Sequence, residues 1–238
     1  MSAEGLTNIG LKRNKNQDTF LIREDFNLYV VADGMGGHQA GEVASAIAAR
    51  TIERVFSEAS RKDFSVVQVL KSAVEEANSI IYQSSKNNSQ DYIMGTTLTT
   101  AAIEGNTAYI AHVGDSRAYI MDEKTITPIT VDHSYVGELI RNGSLSEEEA
   151  VSHPQRNILT RALGTEPHVN IDLFEIQMKK NDCLILCTDG LFNALSKEEI
   201  HEIVLAAADL RQATKKLIDE ALLKDGNDNI TVVLFKND

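Results

Sequence analysis

Residues 95–129, GTTLTTAAIEGNTAYIAHVGDSRAYIMDEKTITPI, decide the fold class. Runs of Thr, Ile, Val and Tyr suit a pleated, half-buried surface. They are separated by Glu104-Gly105-Asn106, Gly114-Asp115-Ser116 and Asp122-Glu123-Lys124, a spacing that predicts successive antiparallel strands joined as hairpins. Upstream, TFLIRE (19–24) and NLYVVA (27–32) read as two more strands about a polar turn at Asp25 to Asn27. Downstream, IDLFEIQM (171–178), DCLILCTD (182–189) and NITVVLF (229–235) complete the β inventory. Between the two groups lie amphipathic helices. Val43, Ala44, Ile47, Ala48 and Ile52 form one apolar stripe, and Leu70, Ala73, Val74, Ala77 and Ile81 a second. Two later helices open on capping pairs, Ser196 with Glu199 and Asp209 with Gln212. Strands and helices therefore come in groups rather than in alternation, which predicts an α+β protein. Two packed antiparallel sheets with helices on their outer faces would bury every stripe.

Three prolines and no Gly/Ser tract or charge block leave no linker, so residues 1–238 are expected to form a single domain. Residues 132–161 stand apart. Val136, Leu139 and Ile140 make a short helical stripe ended by Asn142-Gly143, and Ser146 with Glu149 caps a second short helix. With so little apolar content the segment reads as a surface flap, and such excursions often carry recognition.

The charge balance excludes some functions. Twenty-three Lys+Arg against 35 Asp+Glu give a net −12, which disfavours a nucleic-acid or anionic-membrane binder. The longest apolar run, Ile203 to Ala208, is six residues, far short of the roughly 20 that span a bilayer. The start, MSAEGLTNIG, has no basic-then-apolar leader, so a cytoplasmic protein is expected. The two cysteines, Cys183 and Cys187, lie in CLILC. As strand residues they are roughly 13 Å apart, too far for a disulfide, and no further ligands at zinc spacing accompany them. They read as small core residues.

The chemistry is carried by aspartates that follow apolar strands: Asp33 after YVVA, Asp189 after LILCT and Asp115 after AHVG, with Asp228 just before the last strand. One such aspartate is ordinarily a turn residue, but four invite a common explanation. If they converge, their repulsion raises their pKa values unless a cation lies among them. All-oxygen ligation selects hard ions, Mg²⁺ or Mn²⁺, and Gly34 could add a backbone carbonyl. Gly34-Met35-Gly36-Gly37 matches neither a dinucleotide fingerprint nor a P-loop, and no GxSxG elbow is present. Arg13, ahead of Asn14-Lys15-Asn16-Gln17-Asp18, is suited to grip a phosphate in bidentate fashion beside such a cluster.

Read together, Arg13 with Asn16-Gln17-Asp18, VVADGMGGH (30–38), Gly95-Thr96-Thr97, HVGDSRAY (112–119), Thr160 to Gly164, CTDGL (187–191) and Asp228-Asn229-Ile230-Thr231 occur in that order. Over essentially the whole chain they resemble the PP2C-type metal-dependent Ser/Thr protein phosphatases in their compact bacterial form. The resemblance implies an α-β-β-α sandwich with a small helical flap and the hydrolysis of phosphoserine and phosphothreonine in proteins, as in bacterial signalling. Attack would come from a hydroxide bridging two Mn²⁺ or Mg²⁺ ions. It implies that Asp33 bridges the ions, that the Gly34 carbonyl holds the first, and that Asp189 and Asp228 hold the second. Asp18 would act through water, and Arg13 would bind phosphate. Asn229 would support the site from behind, and Asp115 with Asp189 would take a third, weaker ion. Where animal members carry a histidine proposed as acid for the leaving alcohol, this chain has Met35, which has no proton to give. His38 stands three residues later as the candidate acid, with water on the metals the preferred donor. The implied partners are phosphorylated proteins, namely the targets of a Ser/Thr kinase and the kinase itself, acted on by a monomer.

Two other readings follow from the same residues. An aspartyl-phosphate phosphatase needs a second aspartate two residues after the first, where Met35 stands. A catalytically dead, phosphoprotein-binding regulator of the same fold would be expected to have lost ligand aspartates, and all are present.

Overall fold

The fold rests on strands that bury both faces. In the computed structural model, which describes residues 2–37, 40–59, 64–87, 94–146, 149–150 and 153–237, the strands are β1 (Ser2–Asn8), β2 (Asp18–Arg23), β3 (Leu28–Met35), β4 (Gly95–Thr96), β5 (Leu98–Glu104), β6 (Thr107–Val113), β7 (Arg117–Met121), β8 (Ile126–Pro128), β9 (Asp172–Gln177), β10 (Cys183–Cys187) and β11 (Ile230–Lys236). The helices are α1 (Ala40–Ala59), α2 (Val66–Asn87), α3 (Tyr135–Arg141), α4 (Asp189–Phe192), α5 (Lys197–Ala206) and α6 (Leu210–Lys224). One antiparallel sheet runs β1-β11-β10-β7-β8. The other runs β2-β3-β5-β6-β9, with β4 pairing to the end of β3.

The period of two along each strand sorts side chains into three layers. On β3, Leu28, Val30 and Ala32 face α1 and α2 and pack with Ile52, Leu70 and Val74. Tyr29 and Val31 point the other way, into the space between the sheets. The second sheet mirrors this. Ile185 of β10 and Val232 and Leu234 of β11 pack with Ile200, Leu217 and Ile218 of α5 and α6, while Leu184, Leu186, Val233 and Phe235 face inward. Cys183 and Cys187 sit buried on the helix side of β10 as free thiols, in line with their reading as small core residues. This α+β arrangement of two antiparallel sheets between helices is the architecture expected from the sequence.

Local signals are realised where they concern one segment. Ser196 and Glu199 form a complete capping box on α5, and Asp209 caps α6 through the Gln212 amide at 2.7 Å. Within residues 132–161 Ser134 caps α3, Asn142 ends it and the Ser146–Glu149 pair forms its reciprocal bonds. Among the described residues no helix is long and apolar enough to cross a membrane.

Two features depart from the local reading. Glu104-Gly105-Asn106 and Asp122-Glu123-Lys124 do join paired strands, β5 to β6 and β7 to β8. Gly114-Asp115-Ser116 does not make a hairpin. It carries the chain from β6 in one sheet to β7 in the other. Gly114 sits there at φ +109°, and a Cβ at that position would strike Thr97, so the crossing needs glycine. The second departure is β1, which has no apolar alternation and is a strand only because β11 offers it an edge, Ser2 opposite Lys236 through Asn8 opposite Ile230.

Phe235 packs its ring 5.0 Å from that of Tyr29 in the inter-sheet layer. Phe235→Ala should lower the free energy of urea unfolding by about 3–5 kcal/mol. Leu223→Ala on α6, where the side chain is 79% exposed, should change it by less than about 0.5 kcal/mol.

Candidate metal and phosphate site

The expected site residues come together where one end of each sheet meets the other. Asp18 opens β2 directly opposite Asp33 of β3. Asp33 lies inside the strand rather than after it. Its N–H donates to Thr97 Oγ1 at 2.9 Å, and its carbonyl accepts from the Thr97 N–H at 2.8 Å. From the other sheet, Asp189 begins α4 just after β10, and Asp228 precedes β11. Asp115 arrives on the turn that crosses between sheets.

Asp18 binds the sheets to each other. Its Oδ2 accepts from Thr231 Oγ1 of β11 in the opposite sheet at 2.6 Å and from Thr188 Oγ1, just after β10 of that sheet, at 2.8 Å. Asn229 makes a second crossing. Its Oδ1 accepts from the Gln17 amide at 2.8 Å, and its Nδ2 donates to the carbonyls of Ile9 and Lys15 at 2.9 and 3.0 Å. Asn229 thereby shapes the segment that carries Arg13. Arg13 Nη2 donates to Asp228 Oδ2 at 2.6 Å, and Asp228 Oδ1 accepts from the Asn229 N–H at 2.8 Å. Gly34 is required by packing: a Cβ there would collide with the carbonyls of Gly41 and Gln17.

The electrostatics are those of crowded acids. Burial, and then the neighbouring carboxylates Asp189 and Asp228, raise the pKa of Asp18. Asp33 is raised well above the usual carboxylate range by burial, then by Asp18, Asp189, Asp115 and Asp228. Burial and Asp189 do the same to Asp115. Asp189 is raised by burial and Asp228 but relieved in part by Arg13. The guanidinium of Arg13 is stabilised in turn, first by its bond to Asp228 and then by the charges of Asp228, Asp33 and Asp189.

Two oxygens in this cluster, Asp18 Oδ1 and Asp189 Oδ1, are buried without any hydrogen-bond partner. An orphaned carboxylate oxygen is costly, and two in a field of like charge are what a cation relieves. The donors are all oxygen, which fits a hard divalent ion. Among the described residues no three acidic, His or Cys side chains already stand about one point at ligating distance, and Asp228 is engaged by Arg13. The residues fit a divalent ion in kind and in charge. His38 lies outside the described residues.

Sequence reasoning missed Thr188, Thr231 and Thr97, which place Asp18 and Asp33. Thr188 and Thr231 each lie within a recognised motif, but nothing local gives their hydroxyls a role until Asp18 of the opposite sheet supplies a partner.

The profile of the family described as protein phosphatase 2C matches residues 12–224. The chain belongs to the protein phosphatase 2C family. The serine/threonine phosphatase Stp of Listeria monocytogenes is 37% identical to it over 243 residues, covering 100% of this chain and 96% of that protein. A crystal structure of a bacterial serine phosphatase superposes with a TM-score of 0.93 at 35% identity, covering 100% of this chain and 98% of the other. The catalytic domain of the phosphatase PstP in complex with two manganese ions superposes with a TM-score of 0.88 at 32% identity, over 98% of this chain and 96% of that one. The expectation of a protein serine/threonine phosphatase of this family is met.

Asn229→Ala should lower stability in urea by about 1–3 kcal/mol, because it removes three hydrogen bonds, to a half-buried amide and two carbonyls. Arg13→Ala, losing an ion pair whose arginine is half exposed, should cost only about 0–1 kcal/mol.

Proposed function

We propose that this phosphatase hydrolyses phosphoserine and phosphothreonine in proteins at the acidic site, using Mn²⁺ or Mg²⁺. The observation that carries the reading is the pair of partnerless buried oxygens on Asp18 and Asp189 within a cluster of mutually repelling carboxylates. Asp33, which feels each of the other four acids, would bridge two tightly held ions. The carbonyl of Gly34 would complete the first, and Asp189 with Asp228 the second. Asp115 and Asp189 would share a third, weaker ion. When bound, the ions supply positive charge against the phosphoryl oxygens and acidify water, so that hydroxide attacks phosphorus in line without a phosphoenzyme.

The chain's own residues do the rest. Asp18, pinned by two threonine hydroxyls, has one free oxygen with which to orient water at the site. Arg13 is charged at any working pH and presents a planar fork, so it would take two phosphoryl oxygens at once. To do so it must leave Asp228, and ion binding by Asp228 frees it. Asn229 keeps the Arg13 segment at a fixed distance from both. Met35 offers no proton to the leaving alcohol; water is the preferred donor, with His38 the other candidate. Residues 1–238 would work as one domain, with 132–161 as its flap, acting as a monomer on the targets of a Ser/Thr kinase and on the kinase itself. The two manganese ions of the PstP structure support the metal requirement.

The reading is tested on a phosphothreonine peptide. EDTA should abolish phosphate release and Mn²⁺ should restore it. Asp33→Asn and Asp189→Asn should each lower kcat at least about a hundredfold, while Arg13→Ala should act mainly on KM. Peptide binding without turnover in millimolar Mn²⁺ would instead identify an inactive phosphoprotein-binding regulator.

A further inference from the structure

The turn Gly114–Asp115–Ser116 is gripped by the buried His133 on one side and by Thr99 on the other, with the buried ring of His112 beside both, and the proposed chemistry uses none of the three. His133 Nδ1 accepts from the Gly114 N–H at 3.0 Å, and the backbone N–H of His133 donates to the Gly114 carbonyl at 2.7 Å. With Nδ1 acting as acceptor, the ring proton is on Nε2, which donates to Asp172 Oδ2 at 3.1 Å. Arg161 Nη1 donates to Asp172 Oδ1 at 2.7 Å and to the Asn170 carbonyl at 3.2 Å. It also lies 3.0 Å from His133 Nε2. Both of those atoms bear hydrogen, so arginine and histidine are joined through the carboxylate between them.

On the other side Thr99 Oγ1 donates to the Ser116 carbonyl at 2.8 Å. The ring of His112 lies 4.7 Å from that of His133. Its Nε2 donates to the Val131 carbonyl at 3.2 Å, and its Nδ1 lies 2.9 Å from Thr99 Oγ1, whose one proton serves only one acceptor at a time. Burial pushes His112 down to about 3 and lowers His133 as well, so both rings are neutral and each holds one defined tautomer.

We infer that His133, oriented by Asp172, is a positioning residue that fixes the Gly114–Ser116 turn and with it the reach of Asp115 toward Asp189. The same clamp ties both ends of the flap, His133 near its start and Arg161 at its end, to the turn that bears Asp115. The consequence for ion binding rests on the proposed role of Asp115. The clamp itself does not.

The orienting carboxylate is the most sensitive point. In Asp172→Asn the amide nitrogen can donate to Nε2 and move the ring proton to Nδ1, where it opposes the Gly114 N–H. Asp172→Glu keeps an acceptor. Hydrogen exchange at the Gly114 amide and calorimetric titration with Mn²⁺ are measured on wild type and both variants. We expect Asp172→Asn to accelerate Gly114 exchange about tenfold and to weaken the lower-affinity Mn²⁺ class about tenfold, leaving the tighter class unchanged. Asp172→Glu should recover most of both losses. Unchanged Gly114 protection in Asp172→Asn would overturn the clamp. Faster exchange with unchanged weak-class affinity would overturn its link to Asp115. If wild type binds no Mn²⁺ at all, the acidic site has been misread and that link falls with it, while Gly114 exchange still decides the clamp.

Discussion

One buried carboxylate holds the two halves of this protein in register at the place where they act together. Asp18 belongs to the sheet packed on α1 and α2, yet both partners of its Oδ2 come from the other half: Thr231 lies in β11 of the sheet packed on α5 and α6, and Thr188 directly follows β10 of that sheet. Sheets in face-to-face contact otherwise meet through apolar side chains, which resist sliding only by shape. Two short hydrogen bonds to a charged acceptor add direction. The positions of three other acids follow from that register: Asp33 is paired with Asp18 across the strand, and Asp189 and Asp228 flank the two threonines.

The same arrangement concentrates negative charge that the fold alone would not tolerate. Desolvation and mutual repulsion act in the same sense on Asp18, Asp33, Asp115 and Asp189. Arg13 offsets part of this through Asp228. The remaining imbalance comes from burial and from the site's own carboxylates, each raised by its neighbours. A site of this kind stores destabilisation locally in exchange for affinity toward a cation, in the manner of functional sites that break local rules. The net charge, which argues against anionic partners at the level of composition, therefore says little about the site itself, where bound cations set the local field.

Around this centre the structure uses ordinary residues as fixtures. Asn229 makes three side-chain hydrogen bonds to backbone groups of residues 9–17, so a loop with little apolar anchorage still presents Arg13 in one place. Gly114 lets the chain change sheets, and His133 and Thr99 hold the turn from either side. These residues are uncharged and carry no chemistry of their own, but they decide the distances over which the charged ones act.

What the chain determined by itself was the kind of each segment. Strand period, helix stripes and capping pairs were legible because each depends on residues within a few positions of one another. The order of the aspartate motifs identified the family for a similar reason, since a motif is a local string. The tertiary structure alone decided which sheet each strand joins. A Gly-Asp-Ser turn has the same local form whether it closes a hairpin or crosses between layers, and β1 is a strand only because β11 stands beside it. It also decided which hydroxyls and imidazoles matter. Thr188, Thr231 and His133 acquire their roles from partners 170, 213 and 19 or 39 positions away along the chain, and no short window of sequence contains both members of such a pair.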